Sequence, residues 1–121
     1  MSTPHFTNIA AAPELENWGP LKLPLAESLE GDIATAGKEL WKSPDGRTST
    51  GTWQCAPGKS RWDFKTNGEF IHVLSGEMIV VEEGQAAITL RAGDTAVFPK
   101  GWRGTWQVTK TLRKVYTIFP E

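Results

Sequence analysis

An all-β sandwich or barrel is the fold class this sequence predicts, and three observations predict it. Turn signals recur about every ten residues from Lys38 onward. The pieces between them are β-branched or aromatic and mostly too short for helices. Twelve Gly and eight Pro among 121 residues, with six Trp, suit many strands separated by turns better than a helical bundle. A chain of this length forms one domain around a single core.

The elements follow in order. Residues 1–35 read as an arm, because Pro4, Pro13, Pro20 and Pro24 interrupt short apolar pieces and proline both forbids a long helix and removes a ladder donor. Extended segments are expected there, with one helical turn near residues 12–18. Trp18, Leu21, Leu23 and Leu25 must then pack on the barrel or on a partner chain. Residues 36–121 form the barrel. Strands are predicted at KELWK, RTSTGTWQC, SRWDFK, EFIHVL, EMIVVE, AAITL, TAVF, RGTWQV and LRKVYTIF. They are divided by SPDG, APGKS, TNG, SG, EEGQ, RAGD and PKG, which are turn chemistry.

In EFIHVL, alternation puts Glu69, Ile71 and Val73 on one face and Phe70, His72 and Leu74 on the other. Both faces are largely apolar. If the first lines the barrel, the second needs a cover from the arm or from another subunit, so a homodimer is expected. By the same parity Lys114 is in phase with Tyr116 and Ile118, and Arg113 points the other way.

Thirteen basic and fourteen acidic side chains nearly cancel, and no Lys/Arg block makes the footprint that nucleic acid requires. No apolar run approaches the roughly 18 residues of a membrane span, and the N-terminus lacks a basic stretch followed by an apolar one. A cytoplasmic protein is expected. Cys55 is the sole cysteine, so no intrachain disulfide can form; it reads first as a small buried hydrophobe.

Two motifs resemble the cupin superfamily, whose fold is a jelly-roll barrel or double-stranded β-helix. PGKSRWDFKTNGEFIHVLSG supplies the Pro57-Gly58 turn, Glu69 and Gly76 of the first motif, and GDTAVFPKGWRG supplies Gly93, Pro99 and Gly101 of the second. Gly76 and Gly101 are expected where strands reverse sharply. Trp53 with Cys55, Gly104 with Trp106, and Arg113, Lys114 and Tyr116 further resemble the small cupins grouped with the cupin domain of (S)-ureidoglycine aminohydrolase, many of which have no assigned activity.

In metal-dependent cupins two His of the first motif, its Glu and one His of the second hold a transition metal, a donor set suited to Mn, Fe, Ni or Zn. The resemblance places those three His at Trp62, Phe64 and Gly104, none of which can ligate. Glu69 alone remains, so neither metal nor another cofactor is expected.

An ionised carboxylate inside a barrel is costly unless something answers it. Lys114, Tyr116, Arg61, Arg103, the Cys55 thiol or a ligand are the candidates. Glu69, Lys114 and Tyr116 form the candidate catalytic set, with Glu69 as acid/base or anchor. Cys55, Trp62, Phe64, Trp102, Arg103 and Trp106 are candidate ligand contacts, because aromatic walls with a few polar groups build small-molecule pockets. The function expected is a metal-independent barrel that binds or acts on a small polar metabolite, an amine, amide or sugar-like molecule. The alternative is a non-catalytic scaffold or dimerisation module with a filled barrel.

Overall fold

The computed structural model describes residues 2–11 and 14–121, and among them the chain is all-β. Nine strands run in order: β1 (Glu16–Pro20), β2 (Glu27–Ser28), β3 (Ala34–Lys42), β4 (Ser49–Cys55), β5 (Gly58–Asp63), β6 (Asn67–Glu82), β7 (Ile88–Arg91), β8 (Thr95–Phe98) and β9 (Arg103–Pro120). No helix among the described residues is long and apolar enough to cross a membrane.

β6 and β9 are the spine. They pair antiparallel along nearly their whole length, Asn67 opposite Pro120 at one end and Glu82 opposite Gly104 at the other. The first half of β6 also pairs β8, and its second half pairs β7. The second half of β9 pairs β4, and its first half pairs β5. Two sheets result, β1-β3-β4-β9-β6-β8 and β2-β5-β9-β6-β7, sharing the bent β6–β9 ribbon. The chain is thus a jelly roll with its core between the sheets.

The ribbon corrects one expectation. EFIHVL and EMIVVE are one strand, and so are RGTWQV and LRKVYTIF. Gly76 does not reverse the chain; it sits at φ +90° among register shifts between Val73 and Met78. These are bulges that bend a strand from one sheet into the other. A Cβ at Gly76 would strike the Thr111 carbonyl, so the corner needs glycine for its dihedral and for the close approach of β9.

The arm joins both sheets. β1 extends the free edge of β3, and β2 extends the free edge of β5. Residues 21–26 therefore bridge from one sheet to the other, with Leu21 and Ala26 buried and Leu23 and Leu25 exposed. The helical turn expected near residues 12–18 falls partly on residues 12 and 13, outside the described residues, and Glu16–Pro20 is strand. Further back, Arg113 Nη1 donates to the Ala10 carbonyl at 2.8 Å, which ties the start of the chain to the outer face of β9.

Burial follows the predicted parity along β6. Glu69, Ile71 and Val73 are buried, while Phe70 is exposed and His72 and Leu74 are half-buried. Lys114 and Tyr116 on β9 are buried likewise.

Candidate functional site

Glu69 and Lys114 meet inside the barrel. They lie on neighbouring strands, Glu69 opposite Ile118 and Lys114 opposite Val73, and both point inward. Lys114 Nζ donates to Glu69 Oε2 at 2.7 Å, and the two side chains are 3% and 7% exposed. The remainder of the ammonium's surroundings is aromatic. Trp53, directly across the β4–β9 ladder from Lys114, has its ring centroid 4.5 Å from Nζ. The Trp106 centroid lies at 4.6 Å and that of Trp62 at 5.9 Å.

This arrangement explains how a barrel tolerates the pair. Each ion loses several kcal/mol of hydration on burial, and one short charge-assisted bond does not reliably repay that. Indole faces add about 2 kcal/mol or more apiece where water is excluded. The cation–π role open to a bound amine is thus taken by the protein's own Lys114.

On one side of the pair the barrel is packed with rings. Trp62 stacks on Trp106 at 3.8 Å between centroids, Phe64 stacks on Phe98 at 5.7 Å, and Trp102 meets Phe98 edge-on at 5.0 Å. Trp62 Nε1 is held by Ser60 Oγ at 2.8 Å. Trp106 Nε1 is buried and has no hydrogen-bond partner among the described residues.

The metal positions of a cupin do not survive this packing. Trp62 and Phe64 carry no ligating atom and belong to the aromatic column. Gly104 has no room for a side chain: its Cβ would strike the Val81 carbonyl and come within 2.8 Å of the Trp102 indole. Glu69 is engaged by Lys114. Among the described residues no three His, Cys, Asp or Glu side chains converge as a metal would need. The residues present do not fit a transition-metal centre.

On the other side of the pair a recess of about 160 Å³ remains. Its surface is almost wholly apolar, from Trp53, Trp62 and Ile118; Glu69, Lys114 and Tyr116 border it and show it only a small polar point. Trp18 and Leu25 of the arm complete it. A larger groove of about 840 Å³ runs between residues 23–27 and 61–67 and shares Leu25, Trp62, Glu69 and Ile118 with the recess. Those four residues are the border between them. Trp18 reaches this position because Gly37 leaves space: a Cβ there would lie 2.5 Å from the indole.

The remaining candidates disperse. Burial pushes the Cys55 thiol up to about 11 against the opposing field of Lys114, and its Sγ donates to the Ala56 carbonyl at 3.3 Å, away from Glu69. Burial, then the charges of Glu39 and Glu69, push Tyr116 up to about 12, so it holds its proton at neutral pH and can donate. Phe64 lines the outer groove, and Trp102 lines a separate groove between β7 and the β8–β9 turn. Arg103 is exposed and faces Asp63 at 3.7 Å. Arg61 pairs with Glu27 at 2.9 Å. Trp18, Leu25, Trp53 and Ile118 join the site beyond the candidate contacts; the apolar arm signals the first two, and the Trp53–Cys55 pattern and the parity of Ile118 with Lys114 signal the others.

With this geometry established, comparison places the chain among known proteins. The EutQ-like cupin domain matches residues 42–116. A protein of unknown function of the DUF861 family from Pseudomonas syringae pv. tomato is similar in structure, with TM-score 0.73 and 18% identity over 88% of this chain and 44% of that one. This chain therefore spans less than half of that neighbour. The Clostridium difficile EutQ protein gives TM-score 0.61 and 19% identity over 73% of this chain and 69% of that one. Ectoine synthase from P. lautus gives TM-score 0.65 and 15% identity over 77% and 68%. Identities this low convey a shared fold only. No curated protein matches the sequence.

Proposed function

The chain belongs to the family of EutQ-like cupin domains, and since that membership defines a fold and not a reaction, we propose that this member binds a small polar metabolite without a metal. One observation carries the reading: a recess of about 160 Å³ persists beside the buried Glu69–Lys114 pair, in a barrel otherwise packed with rings. An apolar cavity of about 150 Å³ suffices for a benzene-sized molecule, so the recess takes a compact ligand. Glu69 is its acceptor, Tyr116 its protonated donor, and Trp62 its wall. Any turnover at this site would use Glu69 and Tyr116 as the proton-transferring couple.

The narrower resemblance, to the (S)-ureidoglycine aminohydrolase group, directs attention to amides. Its metal chemistry does not transfer, because Trp62, Phe64 and Gly104 stand at the ligand positions. We include a cytoplasmic setting and a homodimer in the proposal, the second because Phe70 and Val97, paired on the outer face, are 38% and 54% exposed.

A second reading has its own support. The stacked column and the neutralised carboxylate are what a filled, non-catalytic barrel would show. A ligand panel of ureides, amides, amines and sugars separates the two. Binding is followed by the indole N–H resonances of Trp18 and Trp62 and by Tm, in the native protein and in Ile118→Phe, which fills the recess. A hit that Ile118→Phe abolishes supports binding; no hit at millimolar concentration establishes the scaffold.

A further inference from the structure

We infer that the recess selects neutral hydrogen-bond donors on a compact apolar body, over both amines and carboxylates, and that Trp18 of the arm is a specificity-determining part of it. The inference rests on the binding reading above and narrows its ligand class.

The selection follows from how the charges are spent. Lys114 gives its ammonium to Glu69 Oε2 at 2.7 Å and to the faces of Trp53 and Trp106 at 4.5 and 4.6 Å. It is already provided for. Glu69 is not: a carboxylate has about four acceptor sites, one is taken by Lys114, and Glu69 lines both the recess and the outer groove. A ligand is therefore met by an acceptor whose charge is cancelled. A neutral O–H or amide N–H satisfies it and surrenders little hydration.

A cation would gain from Glu69, yet it would come to rest within about 5 Å of a second positive charge, Lys114. At an effective dielectric of about 20 that repulsion offsets more than half of the attraction to Glu69, so the pair leaves little net field to repay the cation's own desolvation. An anion meets the Glu69 carboxylate head-on. The rest of the wall is apolar, so neither ion finds a replacement for water.

Trp18 and Leu25 come from the arm, not the barrel, and are 42% and 51% exposed. A ligand in the recess would cover their inner faces. Trp18 is set in place by β1 pairing with β3 and by the bare backbone of Gly37 beneath its ring. Ligand size and shape are thus read by a segment that closes from both sheets.

The test uses three ring compounds of one shape on the full chain at neutral pH: cyclohexanol, cyclohexylammonium and cyclohexanecarboxylate, titrated by calorimetry and by NMR. Cyclohexanol is expected to bind at least about tenfold more tightly than either ion, with contacts to the methyl groups of Leu25 and Ile118. Trp18→Ala, at a half-exposed position and with Tm measured alongside, is expected to weaken cyclohexanol several-fold. Equal or tighter binding of the ammonium or the carboxylate overturns the inference and leaves the recess reading intact. Silence from all three with a hit from the wider panel overturns the inference alone; silence from both overturns the recess reading with it. Unchanged cyclohexanol affinity in Trp18→Ala overturns the role of the arm.

Discussion

The two sides of the Glu69–Lys114 pair differ in who supplies the filling. On one side Trp62, Trp106, Phe64 and Phe98 stack into a continuous column, all from strands of the two sheets or the turns beside them. On the other, Trp18 and Leu25 of the arm close over Trp53, Trp62 and Ile118 of the barrel and leave about 160 Å³ unfilled. The contrast teaches that indole and phenyl do more here than fail to ligate a metal. They make the interior of the barrel a structural core, and the open volume lies where a bridging segment shapes it.

The largest break in this comparison comes from the pair that divides the two sides. Lys114→Met leaves Glu69 buried without a cation and is expected to cost about 3–5 kcal/mol in urea unfolding, whereas Glu69→Leu combined with Lys114→Met should recover most of that loss. A single variant within about 1 kcal/mol of the native protein would show that water reaches the pair and that no boundary exists there.

The packed side can be probed without touching the pair. Gly104→Ala drives a methyl into the Val81 carbonyl and the Trp102 ring and is expected to cost about 3 kcal/mol, at the upper end of overpacking penalties. Leu25→Ser at the mouth, a 51% exposed position, should stay within about 0.5 kcal/mol. Similar costs for the two would erase the distinction between core and mouth.

Alkaline titration sharpens it further. Cys55 titrates at about 11 in the fold against an ordinary 9.0, and Tyr116 at about 12 against 10.0. Both folded values are raised, so the native state holds these protons more tightly than the unfolded chain does. Their contribution to stability is complete below pH 9 and is lost as pH rises, from 9.0 through about 11 for Cys55 and from 10.0 through about 12 for Tyr116. The Cys55 part is on the order of 2 kcal/mol. Cys55→Ala should flatten the first stretch of the unfolding free energy against pH; an unchanged slope would mean the thiol already meets water.

Much of the site was legible in advance because strand periodicity is strict. Side chains alternate faces, so EFIHVL puts Glu69 on one face with Ile71 and Val73, and RKVYTI puts Lys114 on one face with Tyr116; burial shows that both faces are the inner ones. Their meeting was one of several candidate pairings, since Arg61, Arg103 and Cys55 were equally available to a one-dimensional reading. The structure removes those by register: Arg61 sits opposite Thr105 on β5 with its side chain outward, bonded to Glu27. The aromatic cage needed register too, because only the pairing of Trp53 with Lys114 across β4 and β9 brings that ring to the ammonium. The Gly76 corner is not legible in the sequence for a related reason. A positive-φ glycine serves a reversal and a bulge equally well, and only the strand alongside tells them apart.

By itself the sequence determined the strand content, the parity that groups Glu69 with Ile71 and Val73 and Lys114 with Tyr116, and the lack of imidazole at the three cupin ligand positions, because these depend on local dihedral preference, a period of two and residue identity. Tertiary structure alone decided that Lys114 and no other cation answers Glu69, that the rings form a column, and that the arm spans two sheet edges to enclose a recess. Those outcomes depend on which distant segments become neighbours, and that is set by packing the whole chain at once.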